Sequence, residues 1–109
     1  MAGGLPAADA VAAVTGHTKD IAYRQLAVVD AAGGSASYSG GLALGDAADV
    51  SAAGAAAAGN LLADRAVPAA MLATFAERPG DSLADRLIVA LGSGLAAGGE
   101  ISRSVRPEW

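Results

Sequence analysis

Residues 59–100 read GNLLADRAVPAAMLATFAERPGDSLADRLIVALGSGLAAGGE. Gly59-Asn60 forms a tight entry. Val67, Met71 and Phe75 then recur at four-residue spacing, which puts them on one stripe of a helix over 67–77. Pro68 is tolerated there because a first-turn residue has no intrahelical partner for an N–H. Asp64 or a neighbour is placed to cap this helix. Arg78-Pro79-Gly80-Asp81 breaks the chain. Ser82 followed by Asp85 is a variant of the capping box and starts a second helix. Leu83, Leu87, Ala90, Leu91, Gly94 and Leu95 form its apolar face, and Gly98-Gly99 stops it. The stretch is a helical packing unit, and the remainder of the chain is read as what it packs on.

Upstream, Pro6 opens a short helix carrying Leu5, Ala7, Ala10, Val11 and Val14, with Thr15-Gly16 as its expected end. Residues 17–20 read as a polar connector. Residues 21–30, IAYRQLAVVD, are the best strand. Leu26 and Val28 share one face, and Tyr23, Gln25, Ala27 and Val29 share the other. Apolar residues on both faces predict a strand covered on both sides. The Gly33-Gly34 turn leads into 35–39, SASYS, as the returning strand of a hairpin, with Ala36 and Tyr38 on one face. Residues 42–54 read as a loop by composition. Residues 55–58 are four alanines between glycines, a helix-favouring composition whose flanks point instead to a short buried strand. Leu-Ala-Asp-Arg occurs at 62–65 and 83–86, but the surroundings do not repeat. Strands in sequence, followed by helices, give an α+β class.

The bulk numbers narrow the function classes. The chain has 109 residues, 7 Lys and Arg against 11 Asp and Glu, and a net charge of −4. It lacks the clustered basic residues that a nucleic-acid backbone requires. No apolar run reaches the roughly 18 residues of a membrane span. The absence of cysteine removes disulfides, thiolate metal sites and cysteine nucleophiles together, and fits a cytoplasmic protein. Apolar residues make up 53%, but aromatics only 4% and there are 15 glycines. Large core anchors are therefore few, and stability is expected to be marginal without a partner surface.

An ordered set of short pieces resembles a bacterial and archaeal family, the domain of unknown function 1028 (DUF1028). The pieces are Arg24-Gln25-Leu26 with Val28-Val29-Asp30 and Gly33, then Gly40, then Gly59-Asn60-Leu61-Leu62-Ala63. Ala70-Met71 with Phe75, Leu83-Ala84-Asp85-Arg86-Leu87 with Ala90-Leu91, and Ala96-Ala97-Gly98-Gly99-Glu100 follow. The Gly4-Leu5-Pro6 helix resembles the family helix before this hairpin. The resemblance covers residues 3–100 and leaves 101–109 as a divergent tail. It implies the fold of the N-terminal-nucleophile (Ntn) hydrolases, with two β-sheets between helical layers. Here that would be a partial αββα sandwich, with an antiparallel hairpin packed on the C-terminal helix pair. Family members carry an N-terminal strand region that this chain lacks, and bulkier residues in place of 55–58. The expectation is a single partial domain over 1–109.

The class implied is amide-bond hydrolysis. Ntn hydrolases attack through a chain-terminal Thr, Ser or Cys whose own α-amine is the base. This chain begins Met1-Ala2, so the expectation is that it does not act alone. Asn60, Arg24, Asp30 and Glu100 are the substrate-binding candidates. The Asn60 amide is suited to orienting a substrate or oxyanion, but a left-handed turn is the favoured reading of an Asn after Gly. Arg24 and Asp30 lie at opposite ends of a strand, and Glu100 stands where the family usually has an acid. His17 is the only histidine and has no recognisable catalytic partners. Gly92-Ser93-Gly94 lies late in a helix and lacks a following Lys, which excludes a phosphate loop. Neither a metal site nor a cofactor is expected. The expected partner is a second copy of the chain or a complementary subunit supplying the missing sheet. The competing reading is a non-catalytic α+β module whose exposed strand edge pairs with another chain.

Overall fold

A computed structural model describes residues 4–101. The Met1 start and the arginines of the tail, Arg103 and Arg106, lie outside the described residues. Pro6 precedes helix α1 (Ala7–His17) and accepts the first helical hydrogen bond, from Ala10 N at 2.9 Å. The helix runs through the expected Thr15-Gly16 stop. Gly16 does not adopt positive φ, so nothing reverses the chain there, and Thr18 closes the helix by donating to Val14 O.

The strand expected over 21–30 is shorter than its pattern. Asp20 turns the chain with φ 60°, Ile21–Tyr23 form one 3-10 turn, and β1 begins only at Gln25 (Gln25–Val29). The cause lies across the hairpin. Gly40 is buried and donates to Arg24 O at 2.8 Å, while Leu42 N reaches Ala22 O at 2.7 Å. The 21–24 backbone is held as a turn against the Gly40 main chain. From there β1 pairs antiparallel with β2 (Ser35–Ser39), Leu26 opposite Tyr38 and Val28 opposite Ala36, as the alternation predicts. That apolar face is covered by α1, which packs on both strands.

Residues 42–54 are not simply a loop. They contain β3 (Ala48–Ala52), which pairs with β4 (Ala55–Gly59) as a second antiparallel hairpin. The alanine run is thus the strand expected, and its partner is the unexpected element. The two hairpins are separate two-stranded sheets packed on each other, β2 near β3 and β1 near β4. Helix α2 (Val67–Ala76) covers the outer side of the second hairpin, and α3 (Leu83–Ala96) packs on α2. The layers run helix, sheet, sheet, helices. The α+β class holds, as does the packing of a hairpin on the C-terminal helix pair. The hairpin in that place is β3–β4 rather than β1–β2.

Ser82 Oγ accepts from Asp85 N at 3.2 Å and starts α3 as its sequence predicts. Gly98 and Gly99 follow the helix with φ 128° and 59°, and Gly99 N bonds back to Gly94 O at 2.9 Å. Ahead of α2, Asp64 Oδ1 accepts from Ala66 N at 2.8 Å, so it braces the turn before the helix. The two helices are joined by small and polar contacts. Gly94 is buried against Met71 and Val67. Thr74 donates to Ser93 at 2.8 Å, and Ser93 to Ala70 O at 3.2 Å. The Arg86 guanidinium lies 3.8 Å from the Phe75 ring centroid and donates twice to Phe75 O, at 3.2 and 2.9 Å. It therefore adds two donors to a carbonyl at the end of α2 that otherwise accepts a long bond from Arg78 N at 3.5 Å.

The six-residue apolar face of α3 is covered only in part. Only Ala90 and Gly94 of that set are buried, whereas Leu83, Leu87, Leu91 and Leu95 are exposed, as is Ile88. Close approach to α2 selects the small side chains and leaves the leucines to one side. The core proper is small: Ala7, Leu62, Val67 and Ala90, with Pro68 fully enclosed.

Gly40 gives a sharp test of this packing. A Cβ there would lie 2.2 Å from Ala22 O and 2.6 Å from Ile21 O, both main-chain atoms that no rotamer change can move. Gly40→Ala is expected to lower stability by about 1–3 kcal/mol, the range for overpacking a tight site. Gly41→Ala, where a Cβ meets nothing within 4 Å, should stay within about 0.5 kcal/mol. Urea denaturation midpoints of the two variants check the difference.

Candidate functional site

The face of β2 turned toward the second hairpin carries Ser35, Ser37 and Ser39, spaced by two as a strand requires. All three hydroxyls donate across the gap. Ser35 reaches Ala52 O. Ser37 reaches the Asp49 carboxylate at 2.6 Å, and Ser39 reaches its other oxygen. Gln25, opposite Ser39 in the pairing, extends its amide nitrogen to Ser39 Oγ at 2.8 Å, Gly59 O at 2.9 Å and Ala48 O at 3.3 Å. Ala48 and Gly59 are themselves opposite each other in β3–β4, so Gln25 grips the open end of the second hairpin. At the other end the two turns meet, with Gly54 N donating to Gly33 O at 2.7 Å. The sheet–sheet interface is thus a polar seam bridged from β2. On the same face of β1, Ala27 and Val29 stay exposed, so the strand is not covered on both sides as its pattern predicts, because the second hairpin has only small side chains to set against it.

This seam was not among the sequence candidates. The Ser-x-Ser-x-Ser spacing carried half of the signal. The other half, Asp49, stood in a segment whose composition reads as loop.

The Gln25–Gly59 bond determines where the candidates lie. Arg24 precedes Gln25 and Asn60 follows Gly59, so both come to the open end of the hairpin pair. Glu100 is placed by a different contact. It forms an isolated antiparallel bridge with Leu62, flanked by Ala63 N to Gly99 O at 2.9 Å and Ile101 N to Leu61 O at 2.6 Å. Arg24 and Glu100 are exposed and Asn60 is half-buried. The left-handed residue at this corner is Leu61, with φ 52°, and not Asn60. The turn geometry that competed with a functional reading of Asn60 therefore belongs to its neighbour. Beside Glu100 a groove of about 260 Å³ opens between β4, α2 and α3, floored by Leu62, Val67, Pro68 and Met71.

Asp30 is at the opposite, turn end. Its carboxylate accepts from Ala7 N at 2.8 Å, the first residue of α1, and from Ala32 N at 2.9 Å and Gly34 N at 2.8 Å. Its own N–H donates to Gly34 O at 2.9 Å. It ties a hairpin turn to a helix N-terminus, a favourable place for a negative charge. These backbone N–H groups, Ala7 first and Gly34 next, hold its carboxyl below the ordinary carboxylate range against the opposing effect of partial burial. An apolar cleft of about 700 Å³ lies beside it, lined by Leu5, Pro6, Val28 and Val29 among others. His17 is the last residue of α1, with Nδ1 2.9 Å from Ala13 O. Among the described residues no group of three or more His, Asp or Glu side chains is placed to hold a metal ion, and no helix is long and apolar enough to cross a membrane.

The Asp30 geometry fixes a pH dependence. Its folded-state pKa is depressed, so its stabilising contribution is fully present above the unfolded value of about 4 and is lost as pH falls through the folded one. Thermal midpoints of the unmodified chain should fall on acidification below about pH 4. Asp30→Asn should flatten that limb and lower the midpoint at neutral pH. An acid limb equally steep in Asp30→Asn would show that other carboxylates carry it.

The comparisons with known proteins agree with this architecture. The sequence model of the family described as a family of unknown function, DUF1028, matches residues 1–105. The crystal structure of a DUF1028 protein from Silicibacter pomeroyi superposes with a TM-score of 0.79 at 35% sequence identity. That match takes in 89% of this chain but 42% of the Silicibacter pomeroyi chain, so the present chain spans less than half of its structural relative. No curated protein matches. With a family match over nearly its whole length and a solved relative at this identity, the chain belongs to the DUF1028 family.

Proposed function

We propose that this chain forms one part of an Ntn-hydrolase-like αββα sandwich, and that the completed domain hydrolyses an amide bond. The layering carries the reading: α1, then β1–β2, then β3–β4, then α2–α3. Two-stranded sheets fall well short of the roughly four to six strands usual in a sheet. Each strand here has one neighbour in its own sheet, and the Silicibacter pomeroyi relative has more than twice the length matched. Further strands supplied by the rest of such a domain would extend both sheets.

In this reading the nucleophile, with its α-amine as base, comes from the part of the domain outside this chain. The contribution of the chain is the open end of the hairpin pair. The Arg24 guanidinium suits a substrate carboxylate. The Asn60 amide suits the carbonyl under attack, where a donor aimed at developing negative charge lowers the barrier. Glu100 suits a cationic substrate group. Asp30, bound on both oxygens to backbone N–H groups, is a structural residue.

The test is a chimera in which residues 4–101 replace the matching part of the Silicibacter pomeroyi protein. It is assayed against aminoacyl and acyl anilides beside that parent. Hydrolysis by both is expected. Asn60→Ala in the chimera should lower kcat by about 10²–10³, the usual loss of one such donor. Folded parent and folded chimera that both leave every amide intact would overturn the proposal.

A further inference from the structure

The outer edge of β1 carries main-chain groups that β2 does not reach. Asp30 N donates to Gly34 O and Gly40 N to Arg24 O. With Leu26 opposite Tyr38 and Val28 opposite Ala36, the even-numbered residues of this strand are therefore the ones bonded to β2. In an antiparallel pair the groups of the alternate residues point the other way. Those of Gln25, Ala27 and Val29 face outward, and among the described residues no backbone hydrogen bond reaches them. The side chains beside this edge are uncovered as well: Ala27 is exposed, and Val29 is 50% exposed. β2 and β4 have no exposed residue, and the exposed pair of β3 is Ser51 and Ala52. On the helix side of β1 the cleft of about 700 Å³ opens, with Leu5, Pro6 and Ala10 on one wall and Val28 and Val29 on the other. Asp30, its only charged residue, is already bound by three backbone N–H groups. The strand QLAVV has none of the lysine, proline or bulge by which an edge strand is ordinarily kept from pairing.

We propose, resting on the partial-sandwich reading above, that the β1 edge takes an extended segment from the part of such a domain outside this chain, added as the next strand of the first sheet. Donors and acceptors repeated at every second residue are satisfied together by another main chain in extended form. The cleft sets the chemistry of that segment. Its side chains turned toward α1 meet Leu, Pro, Ala and Val and are apolar, while those turned the other way lie beside Ala27 and Val29. The same cleft selects this occupant over a second copy. A second copy pairing β1 with β1 brings Leu26 and Val28 that already lie under its own α1, together with a cleft of its own, so both clefts stay open. A strand from elsewhere brings side chains not yet used. More than half of the Silicibacter pomeroyi relative lies outside the match, which is ample length to supply it.

The probe is a set of overlapping synthetic peptides of about ten residues, roughly twice a usual strand, covering the stretch of the Silicibacter pomeroyi protein outside the match. Each is titrated against the full chain. Peptides with alternating apolar residues should bind. At saturation, amide exchange at Ala27 and Val29 should slow by about tenfold or more, while Leu26 and Val28, already bonded to β2, should change little. Ala27→Pro removes an outward N–H and no bond to β2, and Val29→Lys sets a charge at the edge. Each should weaken binding by about tenfold or more. Retained amide protection at Leu26 and Val28 shows that the free variants fold, and Val29→Lys alters only a half-exposed side chain. Failure of every peptide to bind, or binding that Val29→Lys leaves unchanged, overturns the proposal. So does self-association of the free chain that Val29→Lys abolishes, which would assign the edge to a second copy. Binding alone is read, so this outcome is separate from that of the hydrolysis assay on the chimera.

Discussion

Everything in this fold is arranged around one side-chain amide. Gln25 leaves β1 and bonds at once to β2, through Ser39, and to both strands of the second hairpin, through the carbonyls of Gly59 and Ala48. A backbone carbonyl at the inner face of a sheet must find a donor or be desolvated at a cost of about 1–3 kcal/mol. Gln25 adds a side-chain donor to the carbonyls of the last β3–β4 pair, Ala48 and Gly59. The serines and Asp49 continue the same logic inward, and the Gly54–Gly33 contact closes the far end. Two hairpins that are each marginal alone become a single sandwich because their polar groups satisfy one another.

A seam of this kind follows from the composition. The second hairpin offers Ala, Ser, Asp and a single Val to its surroundings, too little apolar surface to hold a sheet by burial alone. Hydrogen bonds across small side chains are directional, so they set register as well as attachment. The same economy governs the helices. Gly94 and Ala90 bring α3 close to α2, and hydroxyls and the Arg86–Phe75 clamp complete the contact. Close packing of small residues leaves the larger ones over, and twelve large apolar side chains are exposed among the described residues. Several of them cluster on one edge of α3.

The sequence disclosed those parts of the fold that depend on local chemistry. Ser82 with Asp85, the Gly98-Gly99 stop and the alternation of 25–29 against 35–39 each follow from the preferences of a few neighbouring residues, and each is found. β3 was not legible because its strand character is tertiary: ADVSA has one β-branched residue, and its Asp49 makes sense only opposite Ser37 and Ser39. The α3 face is apolar, as its spacing predicts, but only Ala90 and Gly94 of it are buried. Periodicity records which residues avoid water, not whether the surface that shelters them lies in the same chain. The Ile21–Tyr23 turn was missed for a related reason, since Gly40, nearly twenty residues away, dictates it.

The same distinction narrows the search for a functional site. Of the four polar candidates, Asp30 is fully accounted for by the turn and helix it joins, and its low pKa is the mark of that structural task. Perturbed titration therefore does not identify the site here, although it often does elsewhere. Ser37, Ser39 and Asp49 sit together, as in many hydrolytic centres, but each hydroxyl is spent on the carboxylate and the carboxylate on the hydroxyls. What remains is Arg24 and Asn60, next in sequence to the Gln25–Gly59 contact, and Glu100, which the Leu62 bridge sets beside the groove between β4, α2 and α3. These three are the side chains to which the proposed function gives a ligand.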